Sequence, residues 1–168
     1  MTRRKHLSDT DYMKIALDLA RSASDMGEVP IGSVLIDSEG AILASAGNNC
    51  IAAVDPVGHA EIRTLQMAAK TIGNYRLPGT TLFVTLEPCV MCTAALINAR
   101  VARVVYGADD PKAGGIAGVY KINQDRKLNH YFEVTSGVLA KECAEILRVF
   151  FQRRRKNNFS IVKKPNTV

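Results

Sequence analysis

The sequence has no long apolar run. Its hydrophobic stretches are broken by charge, proline or glycine well short of the ~20 residues needed to cross a bilayer, so no membrane-spanning helix is expected. An apolar leader segment is missing as well: Met1-Thr2-Arg3-Arg4-Lys5-His6 is basic, but it runs into Ser8-Asp9-Thr10-Asp11. A cytoplasmic protein is expected. There is no internal repeat and no linker-like stretch, so residues 1–168 read as a single domain, long enough for a substantial core. Cysteine is scarce. Of the 4 present, Cys89 and Cys92 stand at metal-ligand spacing, which leaves only Cys50 and Cys143. Two disulfides in an intracellular protein would be unusual, and a reduced chain with two ligand cysteines and two ordinary ones is the better account.

What is present is a 47% hydrophobic, 23% charged composition, ordinary for a globular chain, with a net charge of +6 and a pI near 9.3. The positive charge gathers at the ends: Arg3, Arg4 and Lys5 at one, and Arg148, Arg153, Arg154, Arg155, Lys156, Lys163 and Lys164 at the other. Such clusters suit a polyanion, whose phosphates release counterions on contact, and equally suit a solubilising tail.

Helical and strand patterns alternate along the chain. Ser8 or Asp9 can cap a helix over 9–26, with Met13, Ala16, Leu17, Ala20 and Ala23 on its apolar face. Residues 31–36 and 41–46 form a hairpin about the turn Asp37-Ser38-Glu39-Gly40. A loop over 47–58 leads to a helix from His59 to about Gly73. A buried strand over 81–86 precedes a helix from Cys89 to about Asn98, started by Pro88. Further strands fall at 103–107 and 132–135, with a glycine-rich loop at 109–118 between them. A basic terminal helix and tail begin at about 139, the helix running to about Arg155. The expected fold is a three-layer α/β/α sandwich on a central mixed five-stranded sheet.

Two short stretches carry the chemistry. His59-Ala60-Glu61 and Pro88-Cys89-Val90-Met91-Cys92 supply an imidazole and two thiols, each group opening a helix whose dipole favours thiolate and hydroxide. Three protein ligands leave a zinc position open for water, as in catalytic sites; a fourth would close it, as in structural ones. Cys50, Cys143 and His130 are the rivals for that fourth place, with Cys50 the strongest. Glu61, two residues beyond His59, is placed to face the open position.

The two stretches together match the established signature of zinc base deaminases, and the chain resembles the cytidine deaminase superfamily. Within it, the run Leu82 to Cys92, Glu28-Val29-Pro30-Ile31-Gly32, Gly47-Asn48, Asp55-Pro56, Asn74-Tyr75-Arg76-Leu77, Asn129-His130 and Phe150-Phe151 are similar to the bacterial tRNA-specific adenosine deaminases. Asn49-Cys50 and the small loop Ala113-Gly114-Gly115-Ile116 depart from that pattern. The resemblance implies one Zn2+ per chain on His59, Cys89 and Cys92. It implies Glu61 as the catalytic proton shuttle, and Asn48 and the Ala60 backbone as substrate contacts. It further implies a homodimer that converts wobble adenosine of a tRNA anticodon stem-loop to inosine, with the terminal arginines and the loop from Asp109 to Lys112 facing RNA. Two alternatives stay open: a guanine or cytosine deaminase of the same superfamily, which the zinc motifs do not separate, and a non-catalytic RNA-binding subunit with structural zinc, which would have no use for Glu61.

Overall fold

The computed structural model describes residues 7–125 and 127–162. The basic residues Arg3, Arg4, Lys5, Lys163 and Lys164 lie outside the described residues. In chain order the elements are α1 (Asp9–Asp25), β1 (Gly32–Ile36), β2 (Ile42–Gly47), α2 (Ala60–Ile72), β3 (Thr81–Leu86), α3 (Val90–Asn98), β4 (Arg103–Ala108), a 3-10 turn (Ile122–Gln124), β5 (Glu133–Thr135) and α4 (Ala140–Val162). The strands form one mixed sheet in the order β2-β1-β3-β4-β5. The β1–β2 hairpin and the β1–β3 pair are antiparallel, whereas β3–β4 and β4–β5 are parallel. A parallel neighbour cannot be reached by a tight turn, and α3 is the crossover that carries β3 into β4.

The central strands are buried on both faces, and the alternation of side chains between faces sorts the core into two layers. Leu82, Val84, Val104 and Tyr106 face one way and pack with Leu65 and Ala68 of α2 and Leu96 and Ile97 of α3. Phe83 and Val105 face the other way, against Tyr12, Met13, Ala16 and Leu17 of α1 and Cys143 of α4. The sheet therefore lies between two helical layers, as the sequence pattern predicts. Helix α1 sits tight on β1: a Cβ at Gly32 would meet the Ala16 carbonyl at 2.0 Å. Its start is fixed by a capping box, in which Ser8 Oγ accepts from the Asp11 N–H at 3.2 Å and Asp11 Oδ2 accepts from the Ser8 N–H at 3.0 Å. Arg103 forks onto Asp9 at 3.1 and 2.6 Å and donates to Thr135 Oγ1 at 2.9 Å, tying α1 to β4 and β5.

One boundary differs from expectation. Helix α4 continues to Val162 rather than ending near Arg155. Lys156-Asn157-Asn158 reads as a fraying end, but no proline or glycine interrupts the chain there, and polar residues alone do not stop a helix already propagating. No helix among the described residues is long and apolar enough to cross a membrane.

The loop between β2 and α2 stores strain. Val54 holds φ at 52° with its side chain 87% exposed, so a β-branched residue adopts the left-handed region with no packing in return. Val54→Asn, which tolerates that conformation, is expected to stabilise the protein by about 1 kcal/mol and raise its Tm by about 2–4 °C. Differential scanning calorimetry checks this; an unchanged or lowered Tm would place the strain elsewhere.

Candidate metal centre and active site

The ligand residues occupy special positions. His59 is the N-cap of α2 and Cys89 the N-cap of α3, and neither side chain caps its own helix. Cap positions normally spend a polar side chain on the first-turn N–H groups. Here both side chains are left free to converge instead, and Cys92, one turn into α3 and fully buried, joins them. His59 Nδ1 lies 3.7 Å from Cys89 Sγ and 3.4 Å from Cys92 Sγ. All three ligand atoms fall within 4.8 Å of one another. Zinc bound tetrahedrally, with bonds of about 2.3 Å to sulfur and 2.0 Å to nitrogen, requires nitrogen and sulfur to stand about 3.5 Å apart. The two observed separations bracket that value, and one imidazole with two thiols is a donor set that zinc favours.

Protonation follows from the same contacts. Hydrogen bonding from the Cys92 thiol, assisted by His59, holds the Cys89 thiol down to about 4 against the opposing effect of burial. The same bond to Cys89, then burial and Glu61, push Cys92 far up. The contact with Cys89 raises His59. Without metal, the contact between the two cysteines favours the thiolate on Cys89 and the thiol on Cys92.

Glu61 is 3% exposed in the first turn of α2, and its Oε2 is a buried polar atom without a hydrogen-bond partner. Burial raises its pKa above the usual carboxylate range. An orphaned carboxylate oxygen is costly, and in a folded protein it marks a place where a water, an ion or a substrate is expected. Together with the ligand spacing, it supports the fit of a metal and its water to this pocket.

The other predicted site residues are arranged as follows. Asn48 is 4% exposed, and its Oδ1 accepts from the Ala60 N–H at 2.8 Å. Asn48 and Ala60 are therefore brought together, but the Ala60 N–H that the resemblance assigns to substrate is already engaged. It reaches a base only by sharing or giving up that bond. Cys50 does not join the metal group, although it sits close enough for Glu61 to affect it. Cys50→Ser is accordingly expected to leave zinc content unchanged by atomic emission; loss of the metal would make it a fourth ligand. Cys143 is fully buried on the inner face of α4, its Sγ 2.3 Å from where a Gly107 Cβ would stand. The His130 Nε2 is 2.7 Å from the Val101 carbonyl. Phe150 is buried and Phe151 is 41% exposed.

Two residues have a role that the sequence does not show. Glu28 and Glu87, 1% and 2% exposed, are buried carboxylates that accept only backbone N–H groups. Glu28 holds Cys50, Ile51 and Ala52 at 3.1, 2.9 and 2.9 Å, fixing the loop between Asn48 and His59. Glu87 holds Asp110, Ile116, Ala117 and Gly118 at 3.1, 3.1, 2.8 and 2.9 Å. Burial would raise Glu87, but these four bonds outweigh it and bring its pKa below the ordinary carboxylate value. The sequence signals are that Glu87 stands immediately before Pro88 and Glu28 two residues before Pro30, each in a stretch that carries the family resemblance.

A mixed sheet between two helical layers, with histidine and two cysteines meeting at two helix starts beside a buried glutamate, defines the class of zinc-type base deaminases. Residues 7–155 match the family of MafB19-like deaminases. The chain belongs to that family and, within it, to the tRNA-specific adenosine deaminases. The relative of that description from Haemophilus influenzae is 48% identical over 148 residues, 88% of this chain and 86% of its own length. A solved structure from work on A-to-I editing by tRNA:A34 deaminases at the wobble position of transfer RNA superposes with a TM-score of 0.80 at 44% identity, covering 82% of this chain and 99% of that one. A guanine deaminase from Nitrosomonas europaea superposes with a TM-score of 0.75 over 89% of this chain and 88% of its own, but at 21% identity that likeness shows the fold alone.

Proposed function

We propose that this chain deaminates adenosine to inosine at the wobble position of a tRNA anticodon, hydrolytically and with one zinc ion held by His59, Cys89 and Cys92. The observation that carries the chemistry is the orphaned Glu61 Oε2, buried near a set of three candidate ligands. The substrate follows from relatives at this level of identity. When bound, zinc in such a site lowers the pKa of water toward neutrality.

Glu61 takes the proton that water gives up as its oxygen adds to C6 of adenine, and delivers it to the ring nitrogen N1. It then moves the proton of the new hydroxyl to the amino group, the C6–N bond breaks, and ammonia leaves with inosine as product. A raised carboxyl pKa suits a group that must hold a proton between these steps. Asn48 has its Oδ1 committed to α2, so its NH2 end is the one that meets the base, where it donates to a ring acceptor. An anticodon loop is single-stranded, and its wobble base enters a pocket without melting a duplex. The arginines of α4, with Arg153, Arg154 and Arg155 all exposed, supply backbone attraction.

The protein in this reading is a single-domain cytoplasmic homodimer. Exposed Met67, Ile72 and Tyr75 provide apolar surface for a second copy to cover. The test is an anticodon stem-loop carrying adenosine, cytidine or guanosine at the wobble position, with free guanine and cytosine alongside. Inosine from the adenosine substrate, read by nuclease digestion and mass spectrometry, is expected. Ammonia from a free base with none from RNA, by zinc-loaded enzyme, would decide for a small-molecule deaminase.

A further inference from the structure

The segment Glu87-Pro88-Cys89 joins β3 to the metal-ligating start of α3, and the loop 110–118 is wrapped around it. The Gly115 N–H donates to the Pro88 carbonyl at 2.8 Å, and Gly114 bridges Cys89 as an isolated antiparallel pair. Glu87 sits at the centre of this contact. Its Oε1 accepts from Ile116, Ala117 and Gly118, and its Oε2 accepts from Asp110 alone. Asp110 in turn organises the residues after it, its Oδ1 accepting from Lys112 and Ala113 at 2.9 and 3.1 Å and its carbonyl from Gly114 at 3.0 Å. The close approach explains the run of small residues: a Cβ at Gly114 would meet Glu87 Oε2 at 2.3 Å, and one at Gly115 would meet Thr93 Oγ1 at 2.6 Å.

The far side of this loop is a wall. Asp109, Asp110, Pro111 and Lys112 line a groove of about 700 Å³ whose opposite side is α4, with Arg148 and Phe151. An exposed ring beside an apolar floor can stack on a splayed nucleotide and Lys112 can meet its phosphate, while Arg148 is paired with Glu145, its Nε donating at 2.7 Å. The turn at Asp110 is hung from one carboxylate oxygen, and that carboxylate is two residues from a metal ligand.

We propose that Glu87 is a positioning residue that acts through the 110–118 loop, holding the wall of the RNA groove in register with the metal-bearing segment. This rests on the reading of RNA as substrate. Glu87 touches neither metal nor substrate; its carboxylate serves as the template on which the loop folds. Charge and shape separate cleanly in a glutamine variant. Glu87→Gln keeps the length and, with its amide oxygen toward Ile116, Ala117 and Gly118, three of the four bonds. It sets an NH2 group against the Asp110 N–H, donor against donor.

The experiment measures inosine formation in the anticodon stem-loop by zinc-loaded Glu87→Gln, together with zinc content and amide hydrogen exchange of the free protein. The expected result is a KM raised about tenfold, from one charge-assisted bond lost. kcat stays within about threefold, zinc remains at one per chain, and exchange is faster at Asp110, Lys112 and Ala113. A support for the metal alone would give the opposite split, with kcat and zinc falling together and KM unmoved, and that result would overturn the proposal. Should Glu87→Gln fail to fold, Gly114→Ala pushes on the same contact from the loop side and is expected to raise KM similarly; an unchanged KM there counts against the proposal. If the wild-type protein forms no inosine, the RNA reading fails by itself. Exchange at Asp110 still reports the clamp, and equal rates in wild type and Glu87→Gln would refute it.

Discussion

Replacing Glu61 with glutamine is expected to slow deamination by a factor on the order of 10³, within the range associated with losing a positioned general acid–base group, while the protein keeps its zinc. The variant has the same shape, so it opens no cavity at a site that is 3% exposed. It cannot accept a proton from water and return it to the ring and the departing amine, because an amide is neither basic enough to take it nor acidic enough to give it. Single-turnover inosine formation isolates the chemical step, and atomic emission measures the metal. Stability should not fall. The wild-type carboxylate has a buried oxygen with no partner, a feature that costs folding free energy, so an uncharged side chain is expected to leave Tm equal or higher. A variant that lost zinc and stability with its activity would make Glu61 a structural group. One that retained activity would remove the proton shuttle from the mechanism.

The parts of this molecule that were legible in sequence are those written in local pattern. Met13, Ala16, Leu17, Ala20 and Ala23 recur at helical spacing and are all buried on α1. The apolar, β-branched and aromatic run over 81–86 marks a buried strand, and Ser8 ahead of the apolar-periodic residues marks a helix start. The candidate ligand pair Cys89 and Cys92 is written in local pattern too, three residues apart at a helix start after Pro88, whereas His59 is brought to them only by the fold. The roles of Glu28 and Glu87 were not legible. Their partners lie 22 to 24 and 23 to 31 residues away, and those partners are backbone N–H groups, which carry no residue identity. A buried glutamate in a polar-looking loop margin cannot be told by pattern from one in water. The Ala113-Gly114-Gly115-Ile116 stretch, which reads as a departure from its relatives' pattern, becomes intelligible only once Glu87 fills the space a side chain would need. Asn48 lies between these cases. Its type suggests a turn, its resemblance suggests a base contact, and the bond to Ala60 shows that one end of the amide is structural before any substrate arrives.

Cys92→Ala is expected to reduce bound zinc from one per chain to less than about a tenth, and to abolish inosine formation with it, since three protein ligands are the minimum such catalytic sites use. Cys92 is fully buried, and its contact with Cys89, then burial, favour its thiol form in the absence of metal. That protonation gives the prediction a second, independent reading. Metal binding needs thiolates and a neutral imidazole. Cys89, held down to about 4, is already a thiolate at pH 7 and releases nothing. Cys92 must release one proton, and His59, whose pKa is raised by its contact with Cys89, releases a further fraction. Calorimetric titration of the metal-free protein in buffers of different ionisation enthalpy should therefore find between about one and two protons released per zinc. The sign follows: lower pH supplies the protons that compete with metal, so affinity weakens as pH falls through the neutral range and strengthens as it rises. No proton release, or affinity independent of pH, would mean that Cys92 is not a ligand. The same titration on Cys50→Ser should be indistinguishable from wild type, because Cys50 stands outside the ligand group. A closed four-ligand site would lose a proton and most of its affinity there, so the two cysteine variants together decide whether the centre keeps a position for water.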